Sequence, residues 1–298
     1  MSTRLPTVTI GIPAYNEYQN LIKLINEILS QNRQNFFLEN ICVLSDGSAD
    51  GTDNLTKKLK LPLLKILGSK KRIGKPARIN QLFKISKTDL VIILDADIHL
   101  ADELVLNNLV TSSISHKNSL ISGFSVPNKP KTLSQKIAFA GVQVWDSIRL
   151  NKKQSDMYRC EGSIRAFPKD LYHKIKFPST SADEAFSYIK VKMLGGGFYF
   201  DKKAKIYYTL PKSFKDYFFQ QRRYLNSQNI QENNFENVDV QSLYTVTNTD
   251  KIHSFLENLK NNPIYSLIYL VVIIFVKISI RINPENGSSL WKILTTTK

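Results

Sequence analysis

Asp95-Ala96-Asp97 sets two carboxylates one residue apart, directly after the apolar run Leu90-Val91-Ile92-Ile93-Leu94. In extended chain, side chains so spaced share a face. Two carboxylates held together repel unless a cation lies near them. One or two carboxylates plus substrate phosphates is the usual way a protein holds Mg2+ or Mn2+. Taken alone, the pair fits a turn with a helix-capping aspartate equally well. Two further polar clusters follow apolar runs in the same manner. Asn16 and Glu17 come after residues 8–12, and Asp46-Gly47-Ser48-Ala49-Asp50-Gly51 comes after residues 41–44.

Such carboxylates act together only if a scaffold gathers the ends of their strands. Residues 8–12, 41–44, 63–67 and 90–94 read as strands. They alternate with segments of helical spacing such as Leu21, Ile22, Ile25, Ile28 and Leu29. This alternation predicts an α/β fold with a mainly parallel sheet and right-handed crossovers. Ligands of such sheets sit beyond the carboxyl ends of the strands, where these acids lie. Residues 90–94, apolar throughout, read as a central strand covered on both faces. Further on, residues 120–126 and 163–167 read as strands. Residues 133–150, 181–194 and 214–228 read as helices, and the Asn- and Gln-rich stretch 229–250 as a loop.

The 298 residues are 42% hydrophobic and 22% charged, which excludes a disordered or collagen-like chain. A net charge of +16 implies an anionic partner. Nucleic acid is the poorest of these, because carboxylates at three strand ends repel phosphates when no metal intervenes. Two cysteines make no disulfide framework and fit a reducing compartment. The first forty residues lack a secretory pattern. No Gly-x-Gly-x-x-Gly follows the first strand, so a dinucleotide site lacks its phosphate loop. Near the other end, residues 264–276 are apolar for thirteen residues, short of the about 20 that a span needs. Tyr265 and Tyr269 near one end and Lys277 and Arg281 at the other suit a membrane interface. An interfacial or re-entrant helix, a short span and a buried core helix all remain open.

Pro13-Ala14-Tyr15-Asn16-Glu17, the Asp46 turn, Gly74-Lys75 and Asp95-Ala96-Asp97 occur in an order that resembles family 2 glycosyltransferases of the GT-A fold. The resemblance extends over about residues 6–228. It implies that Pro13, Tyr15 and Glu17 border the base and ribose of a nucleotide-sugar, and that Asp46 hydrogen-bonds the base. It also implies that Lys75 approaches the diphosphate, and that Asp95 and Asp97 meet ribose, metal (Mn2+ or Mg2+) and diphosphate. Ser181-Ala182-Asp183-Glu184, ahead of Gly195, matches the family's catalytic acid pair with the order of Glu and Asp exchanged. By register Glu184 inherits the general base, with Asp183 its competitor. One base and no enzyme nucleophile imply single displacement with inversion. Gln220-Gln221-Arg222-Arg223-Tyr224 resembles the Gln-x-x-Arg-Trp motif of membrane-associated members, with Tyr replacing Trp. Arg223 would then meet the diphosphate, and Gln220 and Tyr224 the acceptor. Gly162 falls where relatives bring backbone close to the acceptor.

The implied partners are a nucleotide-sugar, a UDP-sugar on family frequency, and a saccharide or lipid-linked acceptor. An anionic membrane surface on the cytoplasmic side is implied as well. The organisation expected is a GT-A domain over 1–228, a linker with an amphipathic helix over 229–262, and a short apolar membrane-associated tail over 263–298. A nucleotidyltransferase and a catalytically silent scaffold of the same fold are the alternatives.

Overall fold

The computed structural model describes residues 4–150, 156–179 and 181–283. The chain begins with β1 (Thr7–Ala14), α1 (Tyr18–Leu29), β2 (Phe37–Asp46), α2 (Leu55–Leu59), β3 (Leu64–Ser69), α3 (Lys75–Ile85) and β4 (Leu90–Leu94). It continues with β5 (Ile98–Leu100), α4 (Val105–Ser115), β6 (Ser119–Pro127), α5 (Leu133–Arg149), β7 (Ile164–Pro168), α6 (Lys169–Tyr172), α7 (Asp183–Met193) and β8 (Gly197–Tyr208). Helices alone follow: α8 (Phe214–Leu225), α9 (Ser227–Asn234), α10 (Val240–Tyr244), α11 (Asn248–Asn261) and α12 (Pro263–Ile282).

The strands form one sheet in the order β3-β2-β1-β4-β7-β6-β8-β5. The β3-β2-β1-β4 half is parallel, as the alternation of strands and helices predicts. The other half is mixed, because β7 runs antiparallel to both β4 and β6, and β5 antiparallel to β8. This reversal has a consequence for the site. Leu94, the last residue of β4, pairs with Ile164, the first of β7. The residues entering β7 therefore meet the residues leaving β4, and the Asp95 amide donates to the Ser163 carbonyl at 3.0 Å.

Side chains of β4 alternate between two cores, as expected for a strand covered on both faces. Leu90, Ile92 and Leu94 pack with Leu21, Ile25 and Ile28 of α1 and Leu106 and Leu109 of α4. Val91 and Ile93 pack with Ile79 and Leu82 of α3, Leu171 of α6 and Ile189 of α7. A third core joins α5, α8 and α12 through Ile137, Val144, Tyr217 and Tyr269. Helix α5 starts at a capping box, in which Thr132 and Gln135 satisfy each other's backbone amides.

Two expectations are corrected. Much of the stretch read as a loop over 229–250 is helical: it takes in most of α9, α10 and the start of α11. Its polar composition is overridden by tertiary contacts. The Phe235 ring stacks on Phe186 at 5.0 Å, Val240 is buried, and the Gln231 amide, fully buried, donates to the Ala182 carbonyl at 3.0 Å. The apolar tail is a longer helix than its thirteen apolar residues imply, because Lys277 and Arg281 stay helical and extend it to 20 residues. It is not a buried core helix: Ile264 is 68% exposed and Phe275 62%. Residues 284–298 of the expected tail lie outside the described residues.

Helix α12 is nonetheless held firmly on its inner side. Asn258 of α11 donates to the Ala140 carbonyl at 2.9 Å and to the Ser266 hydroxyl at 3.1 Å. Arg222 of α8 donates to the Ser279 hydroxyl, and to the Asn283 carbonyl at 2.7 Å. Gly141 lets the Tyr269 ring lie flat on α5, since a Cβ there would stand 2.6 Å from Tyr269 Cε2 and 3.0 Å from the Tyr217 hydroxyl. Gly141→Val should therefore cost about 1–3 kcal/mol by overpacking. Denaturant titration would show this as a lower midpoint with an unchanged slope. An unaltered midpoint would mean that α12 is not seated on α5 as described.

Candidate active site

A cleft of about 630 Å³ opens at the carboxyl ends of β1, β2 and β4. The residues that the resemblance gives a role line it: Pro13, Tyr15, Glu17 and Asp46 from the first two strand ends, then Lys75, Asp95 and Asp97, then Gly162, Asp183, Glu184, Gln220, Arg223 and Tyr224. Asn16 and Asp50 of the strand-end clusters are not among the lining residues.

The loops that carry the first group are stapled together. The Asn16 amide donates to the Ser48 hydroxyl at 3.1 Å, and the Ala49 amide donates back to Asn16 Oδ1 at 2.8 Å. Asp46 is buried and organises the connection from β3 to α3. Its Oδ1 accepts from the Ile73 amide at 2.8 Å and from Arg78 Nε at 3.1 Å, and its Oδ2 from the Gly74 amide at 3.0 Å. Arg78, 1% exposed, holds the same loop through the Lys71 carbonyl and the Ser69 hydroxyl. Arg72 lies over the Tyr15 ring at 4.1 Å, giving a flat cationic and aromatic platform beside Asp46.

Gly74 adopts a left-handed φ of 92°, which turns the chain so that Lys75 opens α3 toward the cleft. The Lys75 ammonium is 2.7 Å from Asp95 Oδ1, 3.1 Å from the Gly162 carbonyl and 3.5 Å from Asp183 Oδ2. Burial alone would favour the neutral amine. The charges of Asp183 and Asp95 more than offset that and raise its pKa, so Lys75 stays cationic.

Behind Lys75 lies Arg165 of β7, fully buried, whose guanidinium pairs with Asp183 and also donates to the Asp183 carbonyl and the Ser187 hydroxyl. Burial would push the Asp183 carboxyl up, but Lys75 and Arg165 outweigh it and hold the group at about 2. Its neighbour is different. Glu184 is half-buried, lines the cleft and makes no ion pair among the described residues. Burial, and then the Asp183 charge, push its pKa up. Gly162 faces it so closely that a Cβ there would stand 3.4 Å from Glu184 Oε2. Ala182, ahead of both acids, sits in the left-handed region at φ 64°. That conformation strains an alanine and turns α7 so that its first residues enter the cleft.

Asp97 is half-buried in the cleft, and burial, then the charges of Asp95 and Glu17, push its carboxyl up to about 7. Three carboxylates, Asp97, Asp95 and Glu17, thus stand near one another in the cleft, a hard oxygen donor set whose chemistry suits a divalent cation. Among the described residues no three His, Cys, Asp or Glu side chains form a self-sufficient metal cage. A metal held by Asp97 and Asp95 would take its remaining ligands from phosphate and water, as hard cations commonly do.

Several residues that line the cleft or lie beneath it escaped the sequence reading. Arg165 had a signal: one charge inside the apolar stretch Ile164-Arg165-Ala166-Phe167. Arg149 of α5 is bound to Glu161, to Asp146 at 2.6 Å and to the Ser125 carbonyl at 3.2 Å. Trp145 and Tyr158, with ring centroids 5.6 Å apart, line the far side. None of these stands in a motif.

Comparison with known proteins supplies the context. The family description "Glycosyl transferase family 2" matches residues 9–176. Glycosyltransferase AglE of Haloferax volcanii is 28% identical over 153 residues, so the chain spans about half the length of this curated relative. The mannosyltransferase PcManGT from Pyrobaculum calidifontis, solved in complex with GDP-Man and Mn2+, has a similar fold. It matches with a TM-score of 0.60 at 17% identity, over 95% of this chain and 77% of that chain. Glucosyl-3-phosphoglycerate synthase from Mycobacterium tuberculosis, in complex with Mn2+, UDP and phosphoglyceric acid, matches with a TM-score of 0.55 at 15% identity. That match covers 74% of this chain and 77% of the other. The fold is thus of the GT-A kind, a mixed sheet with flanking helices, here followed by an apolar C-terminal helix.

The buried pair makes a testable claim about stability. Arg165→Met leaves Asp183 short of its closest counter-charge in the interior and should cost about 3–5 kcal/mol. The Asp183 carboxyl is depressed in the folded protein, so its contribution is complete above the unfolded carboxylate range and disappears as pH falls through about 2. Urea midpoints measured from pH 7 down to pH 2 should fall less steeply for Asp183→Asn than for the parent. Parallel curves would contradict the assignment.

Proposed function

The chain belongs to glycosyl transferase family 2, and from that premise we propose that it moves a sugar from a nucleoside-diphosphate donor to an acceptor hydroxyl by single displacement with inversion. The observation that carries this reading is the division of labour between two adjacent acids. Asp183 is neutralised by two cations, whereas Glu184 faces the open cleft without an ion pair among the described residues. Glu184 is the general base that takes the proton of the acceptor hydroxyl, and its raised pKa makes it a better proton acceptor than an ordinary carboxylate. Asp183 is a positioning residue, which fixes Lys75 and the start of α7.

On the donor side, the platform of Tyr15 and Arg72, flanked by Pro13 and Glu17, receives the nucleoside. Among the described residues Asp46 Oδ2 accepts one hydrogen bond, from the Gly74 amide, with Arg72 Nε 3.7 Å away, which leaves that oxygen capacity for a base N–H. Lys75, the amino end of α3 and Arg223 stabilise the diphosphate. A divalent metal, Mn2+ or Mg2+, would be held by Asp97 and Asp95 and would supply charge neutralisation for the leaving diphosphate. Both structural neighbours named above were solved with Mn2+, which supports that choice. One of them holds GDP-Man and the other UDP, so a UDP-sugar, the donor implied by family frequency, is tested beside a GDP-sugar. Gln220, Tyr224 and Gly162 border the acceptor.

The reading extends to location: a chain lying on an anionic membrane surface of the cytoplasmic face, its 1–228 portion catalytic and 263–298 its membrane-associated tail. Helix α12 is seated along α5, α8 and α11, with Ser266, Tyr269 and Val276 inward. Leu267, Val271, Ile274, Phe275 and Ile278 face outward, and Ile252 and Leu256 of α11 are exposed as well. A helix docked lengthwise on a polar domain would drag that domain into hydrocarbon if it crossed the bilayer. Lying in the interface suits it better. Basic residues near the surface add about 1 kcal/mol each on an anionic leaflet.

Four kinds of measurement test the proposal. UDP-, GDP- and dTDP-sugars screened by thermal shift should include one that raises the melting temperature only with Mn2+ present, and Asp97→Asn should abolish that shift. Turnover should release a nucleoside diphosphate; pyrophosphate release would favour a nucleotidyltransferase, and no product at all a silent scaffold. Glu184→Gln should lower kcat by about 10²–10⁴-fold while keeping the donor shift. In the parent, kcat should fall on acidification at a pH above the ordinary glutamate range, because Glu184 must be deprotonated and its pKa is raised. A Gln variant of full activity would remove Glu184 from the mechanism. Finally, Ile274→Glu with Phe275→Glu, both on the exposed face, should abolish sedimentation with phosphatidylglycerol vesicles; undiminished sedimentation would refute the interfacial placement.

A further inference from the structure

A second cavity, of about 480 Å³, lies away from the cleft. Strand β6 runs antiparallel to β7, and β8 runs parallel to β6. Strand β8 therefore ends at the cleft, which Tyr208 lines, and begins at the opposite edge of the sheet. The cavity sits at that beginning. Thr111, Ser112 and Ser115 of α4 and His116 just past it form one wall, and Tyr199 and Asp201 of β8 the other. The two cavities share no lining residue. Ligand pockets usually measure roughly 300–1,000 Å³, and this one falls within that range.

A local irregularity builds the second wall. In the pairing of β6 with β8, Ser122 stands opposite Phe200 and Phe124 opposite Lys205. Gly123 alone therefore matches Asp201, Lys202, Lys203 and Ala204, and β8 bulges there. Bulges re-aim the side chains they carry. Asp201 Oδ2 accepts from the Ser112 hydroxyl at 2.7 Å, and Oδ1 from the Lys203 amide at 2.8 Å. The residue is 6% exposed and makes no ion pair among the described residues. A carboxylate offers about four acceptor positions, so each oxygen keeps room for a ligand hydroxyl. Beside it the His116 and Tyr199 rings stack, with centroids 3.7 Å apart and planes 17° from parallel. The Ser112 carbonyl accepts from His116 Nδ1 at 3.1 Å, so Nε2 is the ring nitrogen left for a ligand. Ser112, His116 and Asp201 are not a hydrolytic triad, because His116 meets the backbone of Ser112 and not its hydroxyl.

Charge and polarity narrow the ligand. Asp201, on the inner side, repels an anion. Lys202 and Lys203, exposed on the rim, repel an organic cation. Polar groups on both walls disfavour a purely apolar occupant. An uncharged molecule with many hydroxyls and one apolar face satisfies all three conditions, and a sugar ring is such a molecule. Its hydroxyls donate to a carboxylate, and its C–H face lies on aromatic rings. We infer that this cavity is a second, non-catalytic site for a neutral mono- or disaccharide unit, held by Asp201 and by the stack of His116 and Tyr199. The inference goes beyond the transferase reading and does not depend on it. A saccharide chain anchored here would stay near the cleft at raised effective concentration.

His116 provides the readout. The chain has four histidines, so the full chain labelled with ring-13C histidine gives a simple NMR spectrum, and His116→Gln identifies the His116 peak by its loss. Maltose, cellobiose, lactose, α-1,2-mannobiose and chitobiose, titrated one at a time, should include one that shifts this peak saturably. Asp201→Asn and Tyr199→Leu should each weaken that binding at least tenfold while melting in a single transition. Ser115→Trp, an exposed position whose new side chain fills the cavity, serves if either variant does not fold. No saturable shift with any of the five, a shift that survives these variants, or tighter binding of inorganic phosphate or UMP than of any disaccharide would overturn the inference. The metal-dependent donor shift reports on the cleft alone, so failure here leaves the transferase reading standing, and failure there leaves this site standing.

Discussion

One half-buried ammonium holds the two halves of the site together. Lys75 opens α3, its Nζ touches Asp95 at the end of β4, and it reaches Gly162 before β7 and Asp183 at the start of α7. Four separate stretches of chain thus converge on one charge. The arrangement is stable only as a whole, because removing one member of a buried charge cluster leaves the others uncompensated. It also explains how the cleft is poised. A cation already in the cleft, balanced by acids, can be shared with an anionic ligand without bringing a new charge out of water.

The topology follows from the same requirement. A wholly parallel sheet would start each strand at the edge remote from the ligand. The reversal at β7 instead starts that strand at the cleft, so Gly162 just ahead of it lines the cleft and Arg165 lies buried beneath. Arg165 then carries positive charge beneath Asp183, and the left-handed Ala182 aims α7 inward. Helix α8 serves two sides at once. Arg223 and Tyr224 line the cleft, and Arg222 grips the far end of α12. The apolar helix and the cleft are therefore parts of one packed layer, in which a shift of either is felt by the other.

Much of this arrangement was readable from residue order, and the reasons are specific. Strand ends in an α/β sheet converge by topology, so acids that follow apolar runs were bound to lie near one another. The residues that hold those acids were harder to see. Arg165 appears in sequence as a single charge in an apolar strand, and nothing local says that its partner is Asp183. Arg149 and Glu161 are twelve residues apart, one at the end of α5 and the other ahead of β7, and nothing local in the sequence pairs them. Which of Asp183 and Glu184 finds counter-charges depends on two distant segments, the start of α3 and β7. Helices α9 and α10 escaped because their stability comes from docking on Phe186 and Ala182, not from their own Asn- and Gln-rich composition.

The central claim is that Lys75 and the acids around it are built to receive a metal-bound diphosphate. The most direct test is a crystal structure with a nucleoside diphosphate and Mn2+, read by the anomalous signal of manganese. The account predicts the manganese peak on Asp97, the nucleotide between Asp46 and Asp97, and Lys75 bonded to phosphate, with Arg165 still on Asp183. A manganese peak away from Asp97, or a nucleotide bound elsewhere while the contact between Lys75 and Asp95 stays unchanged, would contradict it.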